Sequence, residues 1–120
     1  MIYTSYYGNL KNIPKDVFKI AISRTTPIWN KHRPPTYNYL VPTQMDLFAY
    51  RVDNDAGVYA NNYRENVLSK LNPDDVVKDL YDLSNGRDVV LLCYEKPPRF
   101  CHRQIVAKWL NDAGYPCTEL

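Results

Sequence analysis

Five side chains that can do chemistry stand close together near the end of the chain. Cys93 and Glu95 are followed by the consecutive residues Cys101, His102 and Arg103. A thiol activated by a neighbouring base can act as a nucleophile, and an imidazole or a carboxylate can transfer protons. A guanidinium can hold a phosphate or carboxylate through two parallel hydrogen bonds. The segment therefore has the residue types for acid–base or nucleophilic catalysis, with Cys101, His102 and Glu95 as catalytic candidates, and for binding an anion.

The elements around this segment predict where its side chains lie. Residues 88–94 are almost continuously apolar, which predicts a central strand ending near Cys93, and the pattern of 101–113 predicts an amphipathic helix that begins at Cys101. Open α/β sheets bind ligands at the carboxyl ends of their strands. The unpaired N–H groups at a helix start favour an anion, and the helix dipole lowers the pKa of a cysteine placed there. An anion site beside a reactive thiol is the resulting hypothesis.

The rest of the chain predicts one α/β domain over residues 1–120, built as a three-layer open sheet, mainly parallel, with flanking helices. A length of 120 residues suits a single compact domain. Asn72 has the properties of an N-cap, and Asn85-Gly86 is a typical helix end. Further strands are predicted at 1–7, 17–23 and 116–120, helices at 45–50, 61–71 and 73–84, and a turn at 53–57.

A second polar cluster follows the predicted strand 17–23. Ser23, Arg24 and Thr25 stand at its carboxyl end, so a parallel sheet would bring them to the same edge as Cys93. Hydroxyl and guanidinium groups suit a phosphorylated or nucleotide-like ligand. The ligand-binding candidates are accordingly Ser23, Arg24, Cys93 and Arg103. Tyr37, Tyr39 and Tyr59 could supply a wall for stacking a base, or simply pack with their hydroxyl groups at the surface.

Composition limits the other classes of function. A formal charge of +2 is too balanced for wholesale polyanion binding, and no apolar run approaches the length of a membrane span. Three cysteines are too few for a disulfide framework, so we expect thiols, a reducing compartment and a cytoplasmic protein. The third of them, Cys117, is assigned to packing.

Structural alternatives exist for each candidate. Cys93 could simply fill the core, and Arg103 could pair with Glu95 as a structural clasp. The spacing from Cys93 to Arg99 imitates a phosphatase loop, but Pro97 and Pro98 remove two of the N–H groups that such a loop needs. Two cysteines and one histidine lack the fourth ligand of a closed zinc site. We therefore predict neither a metal nor a cofactor.

The segment LLCYEKPPRFCHR, with YTSYYGNLKN and AISRTTP nearer the N-terminus, resembles the domain of unknown function 488 family. Members of that family pair Leu-Leu-Cys-x-Glu with a downstream Cys-His-Arg. The resemblance implies an α/β fold and a site at Cys93, Glu95 and 101–103, but no reaction. The family's commoner Gly-His-Ser in the first strand is replaced here by Thr4-Ser5-Tyr6, so no role of that histidine carries over.

The sequence therefore predicts a protein that binds a small anionic ligand, a nucleotide or nucleotide derivative, in a pocket at the strand ends. One alternative is a transferase or hydrolase that acts on a nucleotide or nucleic-acid bond. Another is a nucleic-acid-binding accessory protein that uses the basic, aromatic loop with Trp29, Lys31, His32 and Arg33. The sequence identifies neither the ligand nor the oligomeric state.

Overall fold

The computed structural model describes residues 1–27, 33–96 and 99–120. Its centre is a sheet of four strands in the order β2-β3-β1-β4, and every neighbouring pair is parallel. The predicted α/β fold is confirmed, and the strand before the cysteine-rich segment is central, as expected. The strands are β1 (Ile2–Tyr6), β2 (Phe18–Ala21), β3 (Val89–Cys93) and β4 (Cys117–Glu119).

The helices begin and end at residues suited to those positions. Thr43, Asp55 and Asn72 each accept a hydrogen bond from a backbone N–H of the first turn, which satisfies a group that has no partner within the helix. Asn54 and Asn85 adopt the left-handed conformation that ends a helix. The α-helices are α1 (Gln44–Asp53), α2 (Ala56–Asn66), α3 (Pro73–Ser84) and α4 (His102–Asp112); short 3₁₀ helices span Tyr7–Asn12, Asn38–Leu40 and Leu68–Lys70.

The sheet separates two apolar clusters because successive side chains of a strand point to opposite faces. On one face, Val89 and Leu91 of β3 belong to the larger cluster, with residues of α2, α3 and α4. On the other face, Val90 and Leu92 belong to a smaller cluster with Tyr7 and the segment that follows it. All five residues of β3 are buried, which explains its continuous apolar sequence. The third layer is thin, since a 3₁₀ helix takes the place of an α-helix.

The connections run in opposite directions from the two central strands. The chain leaves β1 over the face of the smaller cluster to reach β2, whereas it leaves β3 over the face of the larger cluster, through α4, to reach β4. Crossovers of one hand require this exchange of faces when the direction reverses. Open α/β sheets bind ligands at the carboxyl ends of their strands. This is the edge where the candidate residues lie.

Some predicted boundaries differ from the structure. The helix predicted at 45–50 is longer and spans Gln44–Asp53. The turn predicted at 53–57 is shorter, because Asp55 caps α2 and Gly57 is already helical. The helix predicted at 61–71 begins at Ala56 and gives way to the 3₁₀ helix at Leu68. Among the described residues, no helix combines the length and apolar composition that crossing a membrane requires.

Candidate functional site

A cleft of about 630 Å³ opens at the carboxyl ends of β2 and β3. Its wall on one side is α1, and its floor is the end of β3 with the start of α4. The described residues that line it are Ser23, Arg24, Pro42, Leu47, Tyr50, Arg51, Asn54, Tyr59, Cys93, Tyr94, Glu95, Arg99, Phe100, Cys101 and His102. Six of the seven residues that the sequence predicts for the site are among them; Arg103 is not.

The loops after β2 and β3 are neighbours, as the parallel arrangement predicts. The N–H of Ile22 donates to the carbonyl of Leu92 at 3.0 Å, and the hydroxyls of Thr25 and Tyr94 lie 3.1 Å apart. Ser23 is buried, and its hydroxyl donates to the carbonyl of Thr25. Ser23 and Arg24 therefore lie in the same cleft as the cysteine segment, as predicted.

Helix α1 presents one face to the cleft. Leu47, Tyr50, Arg51 and Asn54 follow the three-and-four spacing that puts side chains on one side of a helix. An aromatic cluster lies behind this wall. The ring of Tyr50 in α1 stacks on the ring of Tyr59 in α2, with centroids 4.7 Å apart, and the ring of Phe100 contacts both edge-on. Of the three tyrosines predicted as a stacking wall, Tyr59 thus lines the cleft.

The cleft carries an excess of positive charge. Among the described residues, its lining includes three arginines, Arg24, Arg51 and Arg99, and a single carboxylate, Glu95. All three arginines are exposed. Arg99 lies 3.6 Å from the carboxylate of Glu95, and Arg24 donates one bond to the carbonyl of Pro42. Each guanidinium has five N–H groups, so most of their donors stay available to an anion.

The floor of the cleft departs from the prediction of free thiols, because Cys93 and Cys101 are joined in a disulfide. The strand end and the helix start bring the two sulfur atoms together across the turn between them. Both residues are nearly buried, at 4% and 5% exposure, yet both line the cleft. Cys117 is the one free cysteine; burial, the larger effect, and then Glu119 raise the pKa of its thiol to about 11, in agreement with a packing role.

His102 stands beside the disulfide and is buried. Its Nε2 lies 2.7 Å from the carbonyl oxygen of Ile22, which can only accept, so Nε2 carries the proton. Its Nδ1 then presents a lone pair to the sulfur atoms of Cys93 and Cys101, at 3.3 and 3.6 Å. Burial lowers the pKa of His102, the Ile22 bond opposes this to a smaller extent, and Arg103 adds slightly to the lowering; the resulting pKa is about 4. The imidazole is neutral at pH 7.

Cys93, Cys101 and His102 also have the residue types that can bind a metal ion. The candidate ligand atoms of Cys93, Cys101 and His102 lie within 4.8 Å of one another. Thiolates, not disulfide sulfurs, bind zinc, so only the reduced form could present two sulfur ligands and one imidazole. The backbone bond of Nε2 would orient the ring for that task as well.

Arg103 faces away from the cleft and is fully buried. Its Nε and Nη2 donate to the carboxylate of Glu119 at 3.0 to 3.2 Å, and its Nη1 donates to the backbone carbonyl of Glu95 at 2.6 Å. The contacts of Arg103 therefore match the alternative of a structural clasp, but the anionic partner is Glu119 and not the carboxylate of Glu95. The hydroxyl of Thr4 donates to the same carboxylate.

Some predicted features lie elsewhere. Tyr37 donates to Asp79, and Tyr39 is 65% exposed; neither lines the cleft. In the basic loop proposed for nucleic acid, Trp29, Lys31 and His32 lie outside the described residues. The two prolines of the phosphatase-like spacing, 97 and 98, also lie outside them.

Sequence reasoning missed the contribution of α1. Arg51, Tyr50 and Asn54 form a wall only because α1 lies across the strand ends, and that placement is a tertiary fact. The spacing of an amphipathic helix was the one available signal, but it identifies a face and not what the face meets. Glu119 was missed because it follows the helix in a short strand whose neighbour, β1, is at the other end of the chain.

A family model described as the active DUF488-N3 subclade, DUF488-N3a, matches residues 3–114. This match covers nearly the whole chain, so the protein belongs to the DUF488 family, and the resemblance seen in the cysteine-rich segment is confirmed. No curated protein and no solved structure gives a significant match.

Proposed function

We propose that the cleft binds a small anionic ligand, a nucleotide or nucleotide derivative, and that Arg24 and Arg51 contact its phosphate. The observation that carries the proposal is the charge of the lining, with three arginines against one carboxylate. The cleft lies at the carboxyl ends of parallel strands, where α/β proteins bind such ligands. Its volume of about 630 Å³ is within the usual range of small-molecule sites.

The aromatic rings of the lining favour a ligand that has a base as well as a phosphate. Tyr50, Tyr94 and Phe100 line the cleft beside the arginines. A planar base can stack on such rings, while guanidinium groups bind the phosphate. A phosphate without a base would leave these rings without a partner, so a nucleotide suits the cleft better than inorganic phosphate.

A thermal-shift comparison of nucleoside monophosphates with the matching nucleosides tests the proposal. At a ligand concentration 100 times Kd, binding stabilises the folded state by about 2.7 kcal/mol. We expect this stabilisation for at least one nucleotide, little for its nucleoside, and a decline with added salt. Equal responses to nucleotide and nucleoside would contradict an anion site.

Two substitutions locate the binding. Arg24→Ala and Arg51→Ala should each weaken the nucleotide response, because each removes an exposed cation from the cleft. Arg64→Ala is the matched control, since Arg64 is an exposed arginine of α2 that does not line the cleft. If all three variants respond as the wild type does, the ligand binds elsewhere.

A second candidate is an enzyme that transfers or hydrolyses a group of the bound nucleotide. It is favoured by Glu95, whose half-buried carboxylate lines the cleft within reach of solvent. A carboxylate so placed could move protons to or from the ligand. Cys101, predicted from the sequence as a nucleophile, is bonded to Cys93 and offers no thiol in this state. Product analysis of each nucleotide that binds tests for turnover. Glu95→Gln should then abolish product formation and preserve the thermal shift; unchanged turnover would remove Glu95 from the mechanism.

A further inference from the structure

We propose that Cys93 and Cys101 form a reversible redox couple that exchanges electrons with a thiol or disulfide entering the cleft. This activity is independent of nucleotide binding. Three observations carry it: the two cysteines are paired, both line an open cleft, and Nδ1 of His102 lies 3.3 and 3.6 Å from their sulfur atoms.

The positions of the two sulfurs give them different chemistry. Cys101 caps the first turn of α4, an 11-residue helix, where the dipole stabilises a thiolate. Cys93 ends β3 and has no helix start of its own. Because the sulfur with the more stable thiolate is the better leaving group, an incoming thiolate should attack Cys93 and displace Cys101.

His102 has a positioning role in this exchange. The bond from Nε2 to Ile22 fixes the ring, so that the bare Nδ1 remains directed at the sulfurs. When the disulfide opens, a newly formed thiol can donate its proton in a hydrogen bond to Nδ1. The reduced state therefore has a partner for a buried S–H group.

The exchange balances in two steps. A thiolate R–S⁻ forms a bond to the Cys93 sulfur while the Cys93–Cys101 bond breaks, and the electron pair leaves on Cys101. A second R–S⁻ then attacks the sulfur of R in the mixed disulfide, which releases R–S–S–R and the Cys93 thiolate. Both protein thiolates take up the protons that the two thiols lost. The protein gains two electrons, and two thiols become one disulfide; the reverse reaction oxidises the protein.

The expected compartment and the number of cysteines favour a reversible Cys93–Cys101 disulfide over a permanent one. An odd total of three cysteines favours a reducing compartment such as the cytoplasm. In most organisms, disulfides in such compartments are usually transient and either catalytic or redox-sensing. All three cysteines are about equally buried, but Cys93 and Cys101 line the cleft, through which a small thiol can approach, whereas Cys117 does not.

Glutathione is the probe for the test. The native, oxidised protein is mixed with reduced glutathione at pH 7, quenched by alkylation, and analysed by intact mass. We expect the Cys93–Cys101 disulfide to open at least about tenfold faster than bis(2-hydroxyethyl) disulfide at the same glutathione concentration, because of the better leaving thiolate. Oxidised glutathione should restore it. Cys117→Ser, the control, should behave as the wild type.

Two results would overturn the proposal. One is a disulfide that opens only in denaturant or no faster than the small disulfide, since that would make it a structural bond. The other is tight binding of Co²⁺ by the reduced protein with sulfur-to-metal charge-transfer absorption and no re-formation of the disulfide by oxidised glutathione. That outcome would assign Cys93, Cys101 and His102 to a metal site. Neither result bears on nucleotide binding, which is measured separately.

Discussion

Replacing Arg103 by methionine distinguishes a clasp from a ligand site. The substitution removes the guanidinium but keeps a side chain of similar length, so that little cavity is created. Arg103 is fully buried, and it donates to both oxygens of Glu119 and to the carbonyl of Glu95. The variant would leave these acceptors without their donor.

The size of the effect follows from the burial of the partners. Removing one partner of a buried ion pair typically costs about 3 to 5 kcal/mol. The side chain of Glu119 is 35% exposed, so water can reach the carboxylate that is left behind. The hydroxyl of Thr4 also continues to donate to it. We therefore expect the lower end, about 3 kcal/mol of lost free energy of unfolding.

Urea unfolding at pH 7 measures this loss, with Lys108→Met as the control. Lys108 pairs with Asp112 on the surface, and both side chains are about two thirds exposed; such pairs contribute about 0.5 kcal/mol or less. The thermal response to a bound nucleotide should be the same in both variants as in the wild type. A loss below about 1 kcal/mol in Arg103→Met, or a lost nucleotide response, would refute the clasp.

Two further predictions concern His102 and the cysteines. Lowering the pH from 7 to 4 should remove about 3 kcal/mol of the free energy of unfolding through His102 alone. The reason is that the imidazole takes up a proton near its ordinary pKa of 6.5 in the unfolded chain, whereas burial holds its pKa at about 4 in the folded protein. The loss begins as the pH falls through 6.5. Urea unfolding of the wild type and of His102→Gln at each pH isolates the contribution of His102. If the free energy of unfolding changes equally with pH in both proteins, the prediction is wrong. In the reduced protein, iodoacetamide should modify Cys101 first, since it lies at a helix start, and Cys117 last, since burial raises its pKa to about 11. Peptide mass analysis over time gives the order, and equal, slow labelling of all three would make Cys101 a packing residue.

The central elements could be predicted because their signals are local. Residues 89–93 are continuously apolar, as a strand buried on both faces must be. The third helix, Pro73–Ser84, has its N-cap, its proline at the first position and its left-handed asparagine at the end, and all three were visible in the sequence. The start of α2 was missed because its cap, Asp55, stands among polar residues that equally indicate a turn.

The site was predictable only in part, because a strand-end site combines local and distant residues. Cys93 and Cys101 are close in sequence, and the expected strand and helix place them at one edge. Their pairing could not be predicted, since a composition with three cysteines favours thiols. Arg51 lines the cleft because of the way α1 packs, and neither charge nor periodicity in the sequence predicts that packing.

The consecutive residues Cys101, His102 and Arg103 cannot all serve one pocket, because neighbours on a helix point about 100° apart. The structure divides them accordingly. Cys101 and His102 form part of the floor of the cleft, whereas Arg103 faces β4. Yet the division also connects them: the guanidinium binds the carbonyl of Glu95 and the carboxylate of Glu119, so it holds the loop after β3 and the edge strand to the first turn of α4. That turn carries the sulfur and the imidazole, and a clasp at Arg103 therefore fixes the distances on which their chemistry depends.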